Sequence, residues 1–193
     1  MKTVLFGATG SIGRRIAAEL KARGHEVSTP RRDVLDARSV EAEAKGAEAV
    51  LSAFGPGLSG DPALVPKAAK ALIEGAKRAG LRRLIVVGGA GSLKTPAGDL
   101  IDSPQFPAAW KAIAQAHRDA LGSFRASGLD WTFYAPAALI EPGQRTGRYR
   151  VGGGDLIVDA NGQSRISTED YAAAFVDELE TPRFTGTIAT AAY

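Results

Sequence analysis

Met1-Lys-Thr-Val-Leu-Phe-Gly-Ala-Thr-Gly-Ser-Ile-Gly13 decides the reading of this chain. Thr3 to Phe6 is a short β-branched and apolar run, the pattern of a buried parallel strand. Beyond it, Ile12, Ile16, Ala17 and Leu20 recur at helical spacing, with Arg14, Arg15, Glu19 and Lys21 between them. Gly24 follows as a helix-terminating C′ residue. Strand, glycine turn and amphipathic helix in that order form the context that a dinucleotide-binding fingerprint requires. Gly7 lets the chain turn off the strand, and Gly13 lets the helix approach the sheet. Gly10 has no Cβ, so a pyrophosphate can reach bare backbone beside Thr9, Ser11 and Ile12. The free N–H groups of the first helical turn then face the phosphates.

Working outward, the residues predict an α/β fold. It is a doubly wound parallel sheet in three layers, helix–sheet–helix, in a single nucleotide-binding domain over residues 1–193. His25 to Thr29 reads as the second strand, ending at Pro30-Arg31-Arg32-Asp33. The space after it is too short for a helix, so the third strand is either a stub at Val34 and Leu35 or missing. Arg38 to Lys45 is a short helix, and Ala49 to Ala53 an apolar strand ending in the loop Phe54-Gly55-Pro56-Gly57. A helix is expected over 62–79, capped by Asp61 with Pro62 in its first turn. Arg83 to Val87 is a strand, left by Gly88-Gly89-Ala90-Gly91-Ser92. Residues 94–107 show no periodicity and read as a loop over the cleft. Pro107 to Ala126 is a helix with Trp110, Ile113, His117, Leu121 and Phe124 on one face. Leu129 to Tyr134 is a strand, followed at the same edge by Pro136 and Ala137. Arg145 to Val151 and Leu156 to Asp159 read as a hairpin across Gly152 to Gly154. Ser167 and Asp170 form a capping-box variant on a helix ended by Pro182, and Thr187 to Tyr193 is the last strand.

Composition excludes several chemistries. No cysteine is present, which removes disulfides, thiolate catalysis and Cys-ligated metals. The two histidines, His25 and His117, fall on different elements, so no metal site is expected. A net charge of +3, with no basic–aromatic stripe, gives no footprint for nucleic acid. No apolar run is long enough for a membrane span, and no signal-peptide pattern precedes the first strand. A soluble cytoplasmic protein with a small-molecule acceptor is the expectation, with a homodimer left open.

The expected cofactor site runs along the carboxyl edge of the sheet. It takes in Gly7, Thr9, Gly10, Ser11, Ile12, Ala53, Phe54, Gly55, Gly88, Gly89, Pro136 and Ala137. Arg31 and Arg32 stand where a ribose 2′-phosphate would be read, which favours NADP(H) while leaving NAD(H) open; two solvated arginines are the other reading. Ser92, Lys111 and His117 are candidate catalytic residues by position alone. Each of Tyr134, Tyr149 and Tyr171 lacks a lysine four residues on, and Tyr193 ends the chain, so the Tyr-x-x-x-Lys acid of ketone reductases is missing. That absence leaves hydride transfer to a flavin, which accepts hydride directly and takes its proton from solvent. It also leaves an NADP(H)-binding redox sensor without turnover.

The sequence resembles the NADH-flavin reductases, atypical short-chain dehydrogenases similar to biliverdin-IXβ/flavin reductase. Gly7-Ala-Thr-Gly-Ser-Ile-Gly13, Ser52-Ala-Phe-Gly-Pro-Gly57, Val86-Val-Gly-Gly-Ala-Gly-Ser-Leu93 and Gly128-Leu-Asp-Trp-Thr132 carry the resemblance. So do Pro142-Gly-Gln-Arg-Thr-Gly-Arg-Tyr149 and Ser164-Arg-Ile-Ser-Thr-Glu-Asp-Tyr171. It implies a Rossmann fold binding reduced nicotinamide, with flavin as substrate rather than resident prosthetic group. It also implies adenine contacts at Asp33 and Val34.

Overall fold

The computed structural model describes residues 1–31, 33–57 and 59–193; Arg32 lies outside the described residues. Strand β1 (Lys2–Phe6) leads into helix α1 (Ser11–Ala22), and strand β2 (Glu26–Ser28) follows. Then come α2 (Ala37–Ala44), β3 (Ala49–Ser52), α3 (Leu64–Arg78) and β4 (Arg83–Val87). A two-strand ribbon, β5 (Lys94–Thr95) with β6 (Gly98–Asp99), precedes α4 (Lys111–Arg125). The chain ends with β7 (Asp130–Ala135), β8 (Leu139–Glu141), β9 (Arg150–Gly152), β10 (Arg165–Ser167), α5 (Thr168–Glu180) and β11 (Thr187–Ala192).

The main sheet runs β2-β1-β3-β4-β7-β11-β9, parallel except for β9. Its interior strands are apolar on both faces because helices cover both faces. Alternate residues sort cleanly. Val4, Phe6, Val50, Leu84, Val86 and Phe133 meet α2, α3 and α4 on one side. On the other, Leu5, Leu51, Ile85, Tyr134 and Ala189 meet α1 and α5. This is the expected three-layer Rossmann arrangement.

Among the described residues, no strand forms between β2 and α2. Val34 and Leu35 form a turn held by the Asp33 side chain, which accepts from the Leu35 N–H at 2.8 Å. Val34 is buried under α2 instead of extending the sheet, so β2 is the edge strand. From β1 the chain moves outward to β2 and then returns past β1 to β3. The strand order therefore reverses between β1 and β3, where a crevice opens at the carboxyl edge.

Four local expectations need correction. Helix α3 begins at Leu64, with Asp61 accepting from the Ala63 N–H at 2.9 Å. Residues 94–107 are partly structured, through the β5–β6 ribbon and a 3-10 turn at Leu100–Asp102. The hairpin expected across Gly152 to Gly154 does not form, because β9 pairs antiparallel with β11 instead. Those same residues have a ready partner in the open edge of β11, and Gly152 packs against Ile157 without pairing to it. Ser167 caps α5 by accepting from the Asp170 N–H at 3.0 Å, but Asp170 does not reciprocate. Its buried carboxylate accepts from Thr146 Oγ1 at 2.6 Å, the Gly147 N–H at 2.8 Å and Tyr193 Oη at 3.0 Å.

One buried ion pair ties α5 to the sheet. Glu178 takes Arg83 Nη2 at 2.9 Å, Thr132 Oγ1 at 3.0 Å and the Arg183 and Phe184 N–H groups at 3.0 and 3.1 Å. Removing one member of such a pair leaves the other charge buried without its counter-ion. Glu178→Ala is expected to lower the unfolding free energy by about 3–5 kcal/mol. Urea denaturation followed by circular dichroism checks this, and a loss under about 1 kcal/mol, the scale of an exposed pair, would contradict it.

Candidate functional site

The glycine turn is built from contacts that tolerate no side chain. Gly7 sits at φ +76°, and a Cβ there would lie 2.6 Å from the backbone of Ala53 and Phe54. A Cβ on Gly13 would lie 2.1 Å from the Gly7 carbonyl oxygen. Both glycines are therefore required by the fold itself. Gly10 differs. Its φ and ψ are −70° and 168°, open to any residue, and a Cβ would meet nothing closer than the Gly7 oxygen at 3.5 Å. Nothing in the chain demands glycine at the exposed N-cap of α1, so the space over the first helical turn is free for a ligand.

Two clefts flank this turn. The first, about 650 Å³, lies between the turn, α1 and the end of β2. Gly7, Thr9, Arg31, Asp33, Val34 and Phe54, six of the residues that the sequence marks for a cofactor, line it. Arg14 and Lys21, between the apolar positions of α1, also line it. Their i, i+7 spacing, beside the end of the second strand, was the available signal. No carboxylate among the described residues pairs with Arg14, Lys21 or Arg31. Asp33 spends one carboxylate oxygen on its own turn, so the cleft is electropositive.

The second cleft, about 730 Å³, opens on the other side of the same helix end. Ser11, Ile12, Gly89, Pro136 and Ala137 line it, and so do Phe106 and Trp110 from the segment before α4. The expected apolar stripe of α4 splits in two. Trp110, Ile113 and His117 face this cleft, whereas Leu121 and Phe124 are buried in the core. Leu139 and Ile140, on β8, complete the wall; β8 pairs with β10 and had been missed because three residues give no readable alternation.

The three catalytic candidates fare differently. His117 lines the cleft, edge-on to Phe133 at 6.2 Å between ring centres, with no hydrogen-bond partner among the described residues. Burial pushes its pKa down to about 4, so it is neutral around pH 7. Ser92 does not line either cleft. It is buried at the end of a 3-10 turn, Ala90–Ser92, because that turn rotates its hydroxyl inward. Lys111 opens on a separate surface depression with Asp102, Gln115 and Arg118, since the first turn of α4 points it away from the sheet edge. Gly88 is likewise structural: a Cβ would lie 2.2 Å from the Phe133 ring. Ala53 and Gly55 line neither cleft; Ala53 lies under the turn, donating its N–H to the Phe6 carbonyl at 2.8 Å. His25, on the far side of α1, has Nε2 2.8 Å from Glu180 Oε1. Among the described residues, no group of three or more His, Asp or Glu side chains is placed to hold a metal ion, and no helix is long and apolar enough to cross a membrane.

Comparison with known proteins gives a family model described as NAD(P)H-binding, matching residues 7–182. Among solved structures, the chain is similar to a candidate exported protein from Burkholderia pseudomallei, at 50% identity and a TM-score of 0.94, covering 100% of both chains. It is similar to a candidate epimerase from Bacteroides thetaiotaomicron, at 38% identity and a TM-score of 0.89, covering 100% of this chain and 96% of that one. It is also similar to a candidate NADH-flavin reductase from Streptococcus pneumoniae, at 32% identity and a TM-score of 0.86, covering 100% and 99%.

The low pKa of His117 has a consequence for stability. Between about 4 and the ordinary value of 6.5, an unfolded chain binds a proton at this residue that the folded chain does not. Folding stability contributed at this site therefore falls as pH drops through that window. Replacing the imidazole with a phenyl ring is expected to remove that component, so His117→Phe loses less stability than wild type between pH 7 and pH 5. Parallel urea titrations at the two pH values check it; equal losses in both proteins would contradict it.

Proposed function

The chain belongs to the NAD(P)H-binding family, and we propose that it is an NAD(P)H-dependent oxidoreductase reducing a flavin or a similar small conjugated acceptor. The observation that carries the reading is the pair of clefts on either side of the N-terminus of α1, with no side chain at Gly10 to cover the helix end between them. A dinucleotide has the matching shape, two heterocycles joined through a diphosphate. The turn and first-turn N–H groups of α1 would hold the diphosphate. Arg31, Asp33 and Val34 would hold the adenosine end, and Ser11, Ile12, Gly89 and Pro136 the nicotinamide end.

When bound, the reduced nicotinamide supplies one hydride, two electrons with a proton, to a ring atom of the acceptor, and solvent supplies any second proton. The chain's own part is to position the two rings. No carboxylic acid, lysine or tyrosine lines the second cleft among the described residues, so the protein brings no strong acid to the acceptor. Tyr134 lies buried, with burial raising its pKa above the ordinary tyrosine value. These features disfavour a sugar epimerase and favour transfer by proximity and orientation. The name of the Streptococcus pneumoniae relative points the same way. NADP(H) is the favoured cofactor because Arg14, Lys21 and Arg31, cations with no carboxylate partner among the described residues, lie where the ribose 2′-phosphate would lie.

Gly10→Val is expected to abolish NADPH binding while leaving the far-ultraviolet dichroism and melting temperature close to wild type. Titration by NADPH fluorescence checks it, and retained affinity would contradict the phosphate assignment. The double substitution Arg14→Ala with Arg31→Ala is expected to weaken NADPH by about tenfold or more, the scale of a lost charge-assisted hydrogen bond, and NADH far less. An equal effect on both would show that the two arginines do not read the 2′-phosphate. Steady-state oxidation of NADPH with free riboflavin tests turnover directly. Saturable oxidation supports the enzyme, whereas tight binding with no oxidation of any acceptor would support a redox sensor instead.

A further inference from the structure

The two clefts differ in charge, and that difference bears on what each can hold. The proposed nucleotide cleft is lined by Arg14, Lys21 and Arg31, none of which pairs with a carboxylate among the described residues. The second cleft, of similar size, is lined by no Lys, Arg, Asp or Glu among the described residues. Its polar side chains are Ser11, Ser103, Gln105 and His117; the rest of its wall is apolar or backbone. Cations nearby are already engaged. Lys94 pairs with Asp99, Arg118 with Asp102 at 2.9 Å, and Arg15 with Glu169 at 3.0 Å. Lys111 opens on a different depression.

An anion entering such a cleft would lose hydration without gaining a counter-ion. It would also approach the N-terminus of α1 when a diphosphate already occupies that positive end, adding like-charge repulsion. A flat uncharged ring meets neither penalty. Phe106, Trp110, Ile113, Leu139 and Ile140 offer it apolar and aromatic surface, and neutral His117 offers one hydrogen bond to a ring carbonyl.

We propose that this cleft selects acceptor rings that carry no anionic substituent, such as an isoalloxazine or naphthoquinone nucleus, over the same rings bearing phosphate or sulfonate. The inference rests on the oxidoreductase reading for its role, but its selectivity is a binding property and is measured separately. Trp110 lies in the cleft wall and is 37% exposed, so its fluorescence reports ring binding.

The test titrates the protein, saturated with NADP+, with riboflavin and with FMN, and with 1,2-naphthoquinone and 1,2-naphthoquinone-4-sulfonate. The expected result is about tenfold tighter binding of the uncharged member of each pair, a difference of about 1.4 kcal/mol. Leu139→Arg adds a cation at an exposed rim position and is expected to shrink the gap several-fold, mainly by tightening FMN. The inference is overturned if FMN and the sulfonate bind as tightly as their uncharged partners, or if none of the four binds. Turnover with NADPH is read in the same samples. Selective binding without oxidation would sustain the cleft's selectivity and defeat the reductase reading. Oxidation that runs equally well with FMN and riboflavin, on equal binding, would sustain the reductase and defeat the selectivity.

Discussion

The start of α1 is set by backbone packed against backbone. The Gly13 Cα lies so near the Gly7 carbonyl that an added Cβ would lie 2.1 Å from its oxygen, and a Cβ on Gly7 would lie 2.6 Å from the backbone of Ala53 and Phe54, just past the end of β3. These two contacts seat the N-terminus of α1 against the carboxyl edge of the sheet, at the point where strand order reverses. Helix ends carry unsatisfied N–H groups and a partial positive charge. Seated here, with no side chain at Gly10 to cover it, that end faces the crevice. Both clefts exist because α1 starts where it does.

The remaining faces of α1 show how the helix is kept in register. Arg15, Glu19 and Arg23, four residues apart, all turn away from the first cleft. Arg15 reaches Glu169, and Arg23 reaches Asp177 and Glu180, all on α5. Glu19, nearly buried, also takes Arg145 at 2.6 Å, from the segment that crosses over both helices. The hydrogen-bonded arginines hold the Glu19 carboxyl below the usual carboxylate range despite its burial. One stripe of the helix is thus neutralised by α5 and residues 142–149. The other stripe, Arg14 and Lys21, has no carboxylate partner among the described residues and faces the first cleft. Charge in this helix is divided by face: paired where it fastens, free where it borders the ligand space.

Much of this was legible in the sequence, and the exceptions share a cause. Gly7, Gly10 and Gly13 gave the turn, and the apolar runs at 49–53, 83–87 and 129–134 gave the central strands, because each signal is local and fully buried strands are continuous in hydrophobicity. The missing third strand was visible as a spacing too short for a helix. What could not be read were pairings decided by distant partners. Arg150–Gly152 looked like half of a hairpin but found the free edge of β11. Leu139–Glu141 was too short to show a period and is a strand only because β10 lies beside it. Ser92 and Lys111 were chosen by position in the chain, and one residue of rotation in a helical turn places each away from the cleft. His117, placed by the helical spacing on an apolar stripe, lines the second cleft because that stripe runs past the core at its open end.

The account stands on a single ligand spanning both clefts over the start of α1. Amide hydrogen exchange with and without saturating NADP+ tests this most directly. The expected result is simultaneous slowing at residues 10–13, at Thr29, Arg31, Asp33 and Val34 beside the first cleft, and at 88–91 and 137–138 beside the second. Slowing confined to one cleft, or exchange at Ser11, Ile12 and Gly13 unchanged by the nucleotide, would contradict it.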